Sequence, residues 1–497
     1  MMLLQILLTP VLASVVVIAT RRRLGHLAGW ITAAALLYAT TLVGLVTIDI
    51  YHTGAIAHEY LVVAPGIQVA FLADGLSAPT LGVILLLCTA LSCYSMKYIE
   101  HRIDILYHME DKHTRDGYYT RFFALLLFFP VGFIGAMLST NLVVVYFFME
   151  VLTITLFFLM AFFGYQERVR VAFISLSWGI ISALVFLVGA LVVYSQIGSL
   201  DISDLPQMAG TPLVGIALGL FVVSLLMKLA IVPLHVWMPS VHAEHPTCIA
   251  GLLAVYANLA VYILLRVAVL PLSADFSGFG PPLMVLALAT MIYGSLLTLA
   301  QNDIKRLAAC STISQIAYSV LGLAALTATS LEGSMFFFWS HIMGKTVFFS
   351  TAGIVVYVTG IRDMDQLGGL AQRMPVTTLL WLCGCMMLSG FPPFSSFAAE
   401  WIMFTGIFER GALDGPLSLT VAIGGVLAIL LTVGYTFGAA RRIFFGPLNP
   451  ALEAQDLRDP PLTMTVPLMA VVGISIVMGL YPRPLMDLLH AVINGQG

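Results

Sequence analysis

The sequence predicts an all-α polytopic membrane protein with about fourteen transmembrane helices, and three observations carry that reading. Of 497 residues, 60% are hydrophobic and only 9% charged, with a mean hydropathy of +1.00; an average soluble domain has about 25% charged residues. Apolar stretches recur at the roughly 18 residues needed to cross hydrocarbon, and nothing between them resembles a soluble domain longer than a loop. Finally, 17 of the 22 Lys and Arg residues fall on loops of one parity when the stretches are counted as crossings. That bias marks the cytoplasmic side and puts both termini outside. A missed crossing in the middle would erase it.

The first stretch, residues 2–20, is followed by Arg21 to Arg23. A basic cluster after the apolar run, instead of before it, reads as a retained span and not a cleaved leader. Spans follow at 27–48 and 77–96, and then the most charged stretch, Lys97 to Arg121, which reads as a solvated cytoplasmic connection. Spans at 121–138, 141–164, 169–194, 213–235 and 248–270 make one set of five; spans at 280–300, 307–327, 333–359, 376–411 and 417–440 make a second, and 463–482 is the last. The sets, residues 121–270 and 280–440, lie in one membrane domain covering 1–497. An odd number of crossings turns the second set over relative to the first, so the layout is a pair of inverted five-helix repeats. The fourth member of each is broken by proline: helix 7 at Pro233, helix 12 at Pro392 and Pro393. Such breaks free backbone carbonyls to face water or an ion at the midplane.

Ionisable residues inside these spans are the candidate site. A lysine as deep as Lys228 costs about 2.5–3.5 kcal/mol on insertion scales, so it needs a partner or a purpose. Pro233, five residues on, is expected to leave the carbonyl of Leu229 without its helical donor. Glu150 lies nine residues beyond Asn141, or about 14 Å along a helix. That depth is near mid-membrane, and Lys228 is its matching charge. His341 and Lys345 are four apart and share a helical face, an arrangement suited to passing a proton because both cannot be charged when buried. Glu400 follows Pro393 by seven residues, two turns inside its helix and too deep to be a cap. His235, His242, Glu244 and His245 fall in a proline-punctuated turn without the fixed i, i+4 face of a zinc site, so a polar cytoplasmic entrance is expected there and no metal.

The net charge of -3 and the absence of a basic patch give no sign of a nucleic-acid partner. Six cysteines without a CxxC pair indicate neither a cluster nor a disulfide framework. No GxGxxG, P-loop, Fe–S or haem spacing occurs, so no cofactor is expected in this chain, and its energy must come from another subunit or an ion gradient.

The stretches LADGLSAP at 72–79, NLVVVYFFMEVL at 141–152, MKLAIVPLHVWMPSVHAEHPT at 227–247, QNDIKRLAACSTISQIAYSVLG at 301–322, HIMGK at 341–345 and GFPPFSSFAAEW at 390–401 together resemble the antiporter-like membrane subunits of respiratory complex I, Mrp cation/proton antiporters and membrane-bound hydrogenases. The resemblance implies fourteen helices in two inverted repeats, a Glu150–Lys228 pair, a central basic relay and a terminal ionisable residue on broken helix 12. Glu400 at that last position, and no long C-terminal lateral helix, resemble the M-type subunit (chain 4 in mitochondria). Relatives place a lysine in the eighth span where this sequence has Asn258, which binds water but cannot take a charge. Either His341 with Lys345 replaces that relay, or the subunit pumps differently or not at all.

The expected function is therefore proton translocation in a complex I-like membrane oxidoreductase of the prokaryotic cytoplasmic membrane. Protons enter near His235 to His245, load Lys228 under control of Glu150, pass His341 and Lys345, and leave by Glu400. The implied partners are antiporter-like paralogues, quinone- or hydrogenase-type redox subunits and the lipid bilayer. The alternative is a Na⁺/H⁺ antiporter subunit without a redox partner.

Overall fold

A computed structural model of the protein describes residues 2–64, 67–107 and 112–495. The chain opens with α1 (Met2–Ala19) and α2 (Ala28–Thr53). Two strands follow, β1 (Ile56–Ala64) and β2 (Ile67–Ala73), paired antiparallel with Ile56 opposite Ala73. Next come α3 (Ser77–Tyr107), α4 (Lys112–Leu138), α5 (Leu142–Phe163), α6 (Arg168–Ile197), α7 (Val214–Lys228), α8 (Met238–Glu244) and α9 (Ala250–Leu264). The remainder is α10 (Gly280–Leu299), α11 (Ile304–Ala325), α12 (Ala328–Thr359), α13 (Pro375–Leu388), α14 (Ser395–Asp414), α15 (Pro416–Phe444), α16 (Leu462–Leu480) and α17 (Arg483–Ile493). Among the described residues, twelve helices are long and apolar enough to cross a membrane; α7 and α13 are shorter apolar helices.

The β-hairpin departs from the all-α expectation. It is fastened to the turn between α4 and α5, where Thr140 N donates to Ala70 O at 3.2 Å and Ser139 bridges Phe71. A short apolar run beside two spans has no hydropathy signature of its own, which hid it. The expected loop 97–121 is also corrected. Apart from residues 108–111, which lie outside the described residues, it is helical, extending α3 and α4 beyond the apolar zone. Arg102 turns inward there, donating to Gly164 O at 2.6 Å with its guanidinium 4.0 Å from the centre of the Tyr165 ring.

Two helix starts are built alike. Asn141 caps α5 through its side-chain oxygen, and Asp303 caps α11 the same way, each accepting an orphan N–H of the first turn. Asn141 bridges Asp201 and Asp303 bridges Asp363, at the same shift along the chain.

Both proline-interrupted segments are broken, though not as a proline kink. α7 ends at Lys228, before Pro233, and Ala230 takes a positive φ of 53°. Pro233 therefore never faces a helical carbonyl at Leu229, and that expectation is withdrawn. The end of α7 is instead closed by the Trp237 indole, which donates to Met227 O at 3.0 Å. In the second break α13 stops at Leu388, and the chain passes through Gly390 at φ +65° before Ser395 opens α14.

The interior is built on α9 and α11, whose membrane windows are wholly buried, and on α12, which packs against α9, α11, α13, α14 and α16. Polar side chains on these three helices are consequently away from lipid, where they must find partners inside the protein.

Candidate functional site

Glu150 on α5 is half-buried, and its Oε1 has no hydrogen-bond partner. Lys228, the last residue of α7, is 2% exposed. No ion pair joins the two among the described residues. Lys228 Nζ instead donates to the Tyr256 hydroxyl at 3.3 Å and lies 4.3 Å from the centre of that ring. The same hydroxyl is 3.1 Å from Thr153 Oγ1, on the turn of α5 that follows Glu150. Tyr256 thus stands between the two, bonded to Lys228 on one side and on the other to Thr153, three residues beyond Glu150 in α5. A cavity of about 10 Å³ borders Lys228, with Ser175, Ser182 and Tyr256 in its wall.

Asn258 lies two residues after Tyr256 on fully buried α9. Its Nδ2 donates to Ala254 O at 2.8 Å and meets His341 Nδ1 at 3.1 Å, while its own Oδ1 has no partner. His341 stacks on Phe337 at a centroid distance of 6.0 Å with its Nε2 unpaired. Lys345, four residues on, reaches a different helix: its Nζ donates to Ser311 Oγ at 2.5 Å and to Ala308 O at 3.3 Å, both on α11. The shared face of His341 and Lys345 therefore serves as a junction between α9 and α11.

From Ser311 the polar residues continue along α11. Ser311, Gln315 and Tyr318 stand at i, i+4 and i+7, one above another. Gln315 Nε2 donates to Thr432 Oγ1 at 3.0 Å and to the Tyr435 hydroxyl at 3.2 Å on α15. The Tyr318 hydroxyl is buried without a partner. Glu400 is 7% exposed on α14, a helix that packs against both α11 and α15. Gly390 closes the other side: a Cβ there would run into the Glu400 carboxylate.

The histidine turn does not form the expected entrance. His242 and His245 are fully buried and stack on each other at 5.9 Å, with all four ring nitrogens unpaired. His235 is separate, partly exposed, with Nε2 3.3 Å from the Tyr293 hydroxyl. Glu244 is an ion-pair partner of Arg362 at 3.0 Å. The break in the helix tucks the last part of the turn under α12, so spacing alone could not show which histidines face water.

Two further clusters escaped the sequence reading. On one face Arg266 clamps Asp74 through two contacts of 2.7 Å, and Tyr262 receives Arg266 while donating to Met137 O at 2.7 Å. Burial alone would raise the Asp74 carboxyl, but the Arg266 charge and bonds from Arg266 and Ser77 outweigh it and hold it below the ordinary range. At the opposite end of the spans, Lys305 and Arg362 were counted as loop cations. Lys305 is buried, donating to His245 O at 2.8 Å, with Nζ 3.6 Å from the Tyr165 ring centre; Arg362 holds Asp303 at 2.8 Å as well as Glu244.

Residues 139–429 match the family described as NADH:quinone oxidoreductase/Mrp antiporter, TM. The chain is 30% identical over 385 residues to F(420)H(2) dehydrogenase subunit M of Methanosarcina mazei, covering 74% of this chain and 75% of that protein. It is 31% identical over 379 residues to NADH-quinone oxidoreductase subunit N of Desulforudis audaxviator, covering 72% and 74%. Its fold matches a chain of the Mrp complex from Dietzia sp. DQ12-45-1b with a TM-score of 0.87 at 20% identity, over 100% of this chain and 97% of that one. The chain belongs to the NADH:quinone oxidoreductase/Mrp antiporter transmembrane family, as an antiporter-like membrane subunit.

Proposed function

We propose that this chain is the M-type proton-translocating subunit of a complex I-like oxidoreductase in a prokaryotic cytoplasmic membrane. The observation that supports it is a run of ionisable, amide and hydroxyl side chains, buried in all but the half-buried Glu150, through an otherwise apolar interior: Glu150, Thr153, Tyr256 and Lys228, then Asn258 and His341, then Lys345, Ser311 and Gln315, ending at Glu400. Buried groups of this kind are expensive in a membrane and mark ion or proton routes. In this reading Tyr256 passes a proton between Lys228 and the α5 hydroxyl, and Asn258 orients His341 without itself changing charge. Glu400 is the last acceptor before the outside.

The paired caps at Asn141 and Asp303 support two inverted repeats, residues 121–270 and 280–440, in one membrane domain with both termini outside. Counting each broken segment once gives fourteen crossings. The redox centres belong to partner subunits, in keeping with the names of the dehydrogenase and oxidoreductase relatives. The match to the Mrp chain favours one second reading, a Na⁺/H⁺ antiporter subunit with no redox partner. Affinity purification through a tag on this chain, followed by identification of the co-purifying subunits, separates the two. Quinone- or hydrogen-linked redox subunits support the first, and a set of membrane chains alone contradicts it.

A further inference from the structure

A cleft of about 790 Å³ runs between α1 and α4, and no residue of the buried run lines it. Its two ends differ in chemistry. At one end stand Arg21 and Arg22, just past α1, and Arg121 of α4, all exposed. Below them the wall is apolar, formed by Ile18 of α1 and by Ala124, Leu125 and Phe128 of α4. From Arg121 to Phe128 the apolar part extends about 10 Å at 1.5 Å per residue. Ser14 Oγ donates to Ala124 O at 3.1 Å, which locks the two helices together at the level where the polar wall gives way to the apolar one.

The charges at the mouth are unbalanced. Asp116 is the carboxylate in the wall, and no ion pair forms with Arg21, Arg22 or Arg121 among the described residues, although nearby Arg115 does hold Asp104 at 2.9 Å. Arg121 is steered by rings instead, its guanidinium 5.2 Å from the centres of both Tyr118 and Phe162. That packing fixes the stem while leaving the donors facing the cleft. Arginine presents a fork of donors suited to phosphate oxygens.

We propose that this cleft binds one anionic phospholipid, its phosphate between Arg21, Arg22 and Arg121 and an acyl chain laid along Ile18, Ala124 and Phe128. Among the described residues three arginines stand against one carboxylate, which favours a headgroup with net negative charge. The apolar continuation in the hydrocarbon zone favours a lipid over a soluble phosphate. Basic pockets between transmembrane helices recognise lipid headgroups by this combination.

The test is native mass spectrometry of the intact complex, partly delipidated in detergent and titrated with phosphatidylglycerol or with phosphatidylethanolamine. Wild-type complex should retain one more tightly bound phosphatidylglycerol than a complex carrying Arg21→Gln, Arg22→Gln and Arg121→Gln, whose affinity should fall about a hundredfold at roughly 1 kcal/mol per cation. Ala124→Trp, which fills the apolar floor and leaves the arginines in place, should also lose that lipid and serves if the triple variant fails to assemble. Equal retention of phosphatidylglycerol in Ala124→Trp and wild type overturns the proposal. So does equal binding of phosphatidylethanolamine, or displacement of the bound species by glycerol 3-phosphate alone. Efficient cross-linking of an Ile18→Cys variant to a neighbouring subunit would show that a protein helix fills the cleft, and would overturn it too.

Discussion

Tyr256 carries the first half of the site. It is the only hydroxyl that touches both Lys228 and an α5 side chain among the described residues. Tyr256→Phe keeps the ring beside the ammonium but removes both the hydrogen bond from Lys228 and the link to Thr153. Each hydrogen bond is worth about 1 kcal/mol net, so with both lost proton uptake by the reconstituted complex should fall about tenfold to thirtyfold while assembly is unchanged. Asp74 and Arg266 make a separate, structural claim. Removing one partner of a buried pair costs about 3 kcal/mol or more, so Asp74→Asn should lower the unfolding temperature of the purified complex at pH 7. Because folding depresses the Asp74 carboxyl, the stability it confers is present above the ordinary carboxylate value of about 3.9 and fades as pH falls through the folded value. The gap between wild type and variant should close over that acidic window, as thermal unfolding at stepped pH would show.

Charged residues were the legible part at this scale. Glu150, Lys228, Lys345 and Glu400 stand out because an ionisable group in an apolar helix demands an explanation. Tyr256, Thr153, Ser311 and Gln315 do not, since hydroxyls and amides are common in spans and satisfy themselves on backbone carbonyls. The one signal that would have found the α11 residues is the i, i+4, i+7 spacing of Ser311, Gln315 and Tyr318. Lys305 and Arg102 misled for the opposite reason: both count as loop cations by position, yet each folds back onto Tyr165.

At the scale of elements, hydropathy located the spans because each must bury about twenty apolar residues in lipid or protein. It also found both breaks, through their prolines. It did not show how the breaks are made. In the first the chain leaves the helix at Lys228 and a tryptophan caps the end. In the second, Gly390 does two jobs, adopting φ +65° and leaving room for the Glu400 carboxylate. Gly390→Ala meets both obstacles. A left-handed non-glycine residue costs about 1–2 kcal/mol before any clash, so the variant should unfold at a lower temperature and transport protons more slowly. Gly360→Ala, at φ +72° with open space around it, is the control that isolates the backbone cost. If both variants behave alike, the contact with Glu400 carries no weight. The β-hairpin lay beyond sequence reading because its apolar residues sit between two spans and blend into their hydropathy.

For the whole molecule, the buried polar run is centred on α9, α11 and α12 and draws its two ends from neighbouring helices, Glu150 and Lys228 from α5 and α7 and Glu400 from α14. The buried run passes from the first set of helices to the second at Asn258 and His341, where a neutral amide meets a histidine. That crossing makes the two halves one device in this account, with Lys228 at its loading end. The most direct measurement is proton uptake into proteoliposomes containing the complete complex, driven by its own substrate, with wild-type chain or Lys228→Ala. The account predicts that turnover persists while coupled proton uptake through this subunit is lost, lowering the number of protons moved per turnover. Unchanged uptake per turnover in Lys228→Ala would contradict it and leave the chain as a membrane scaffold.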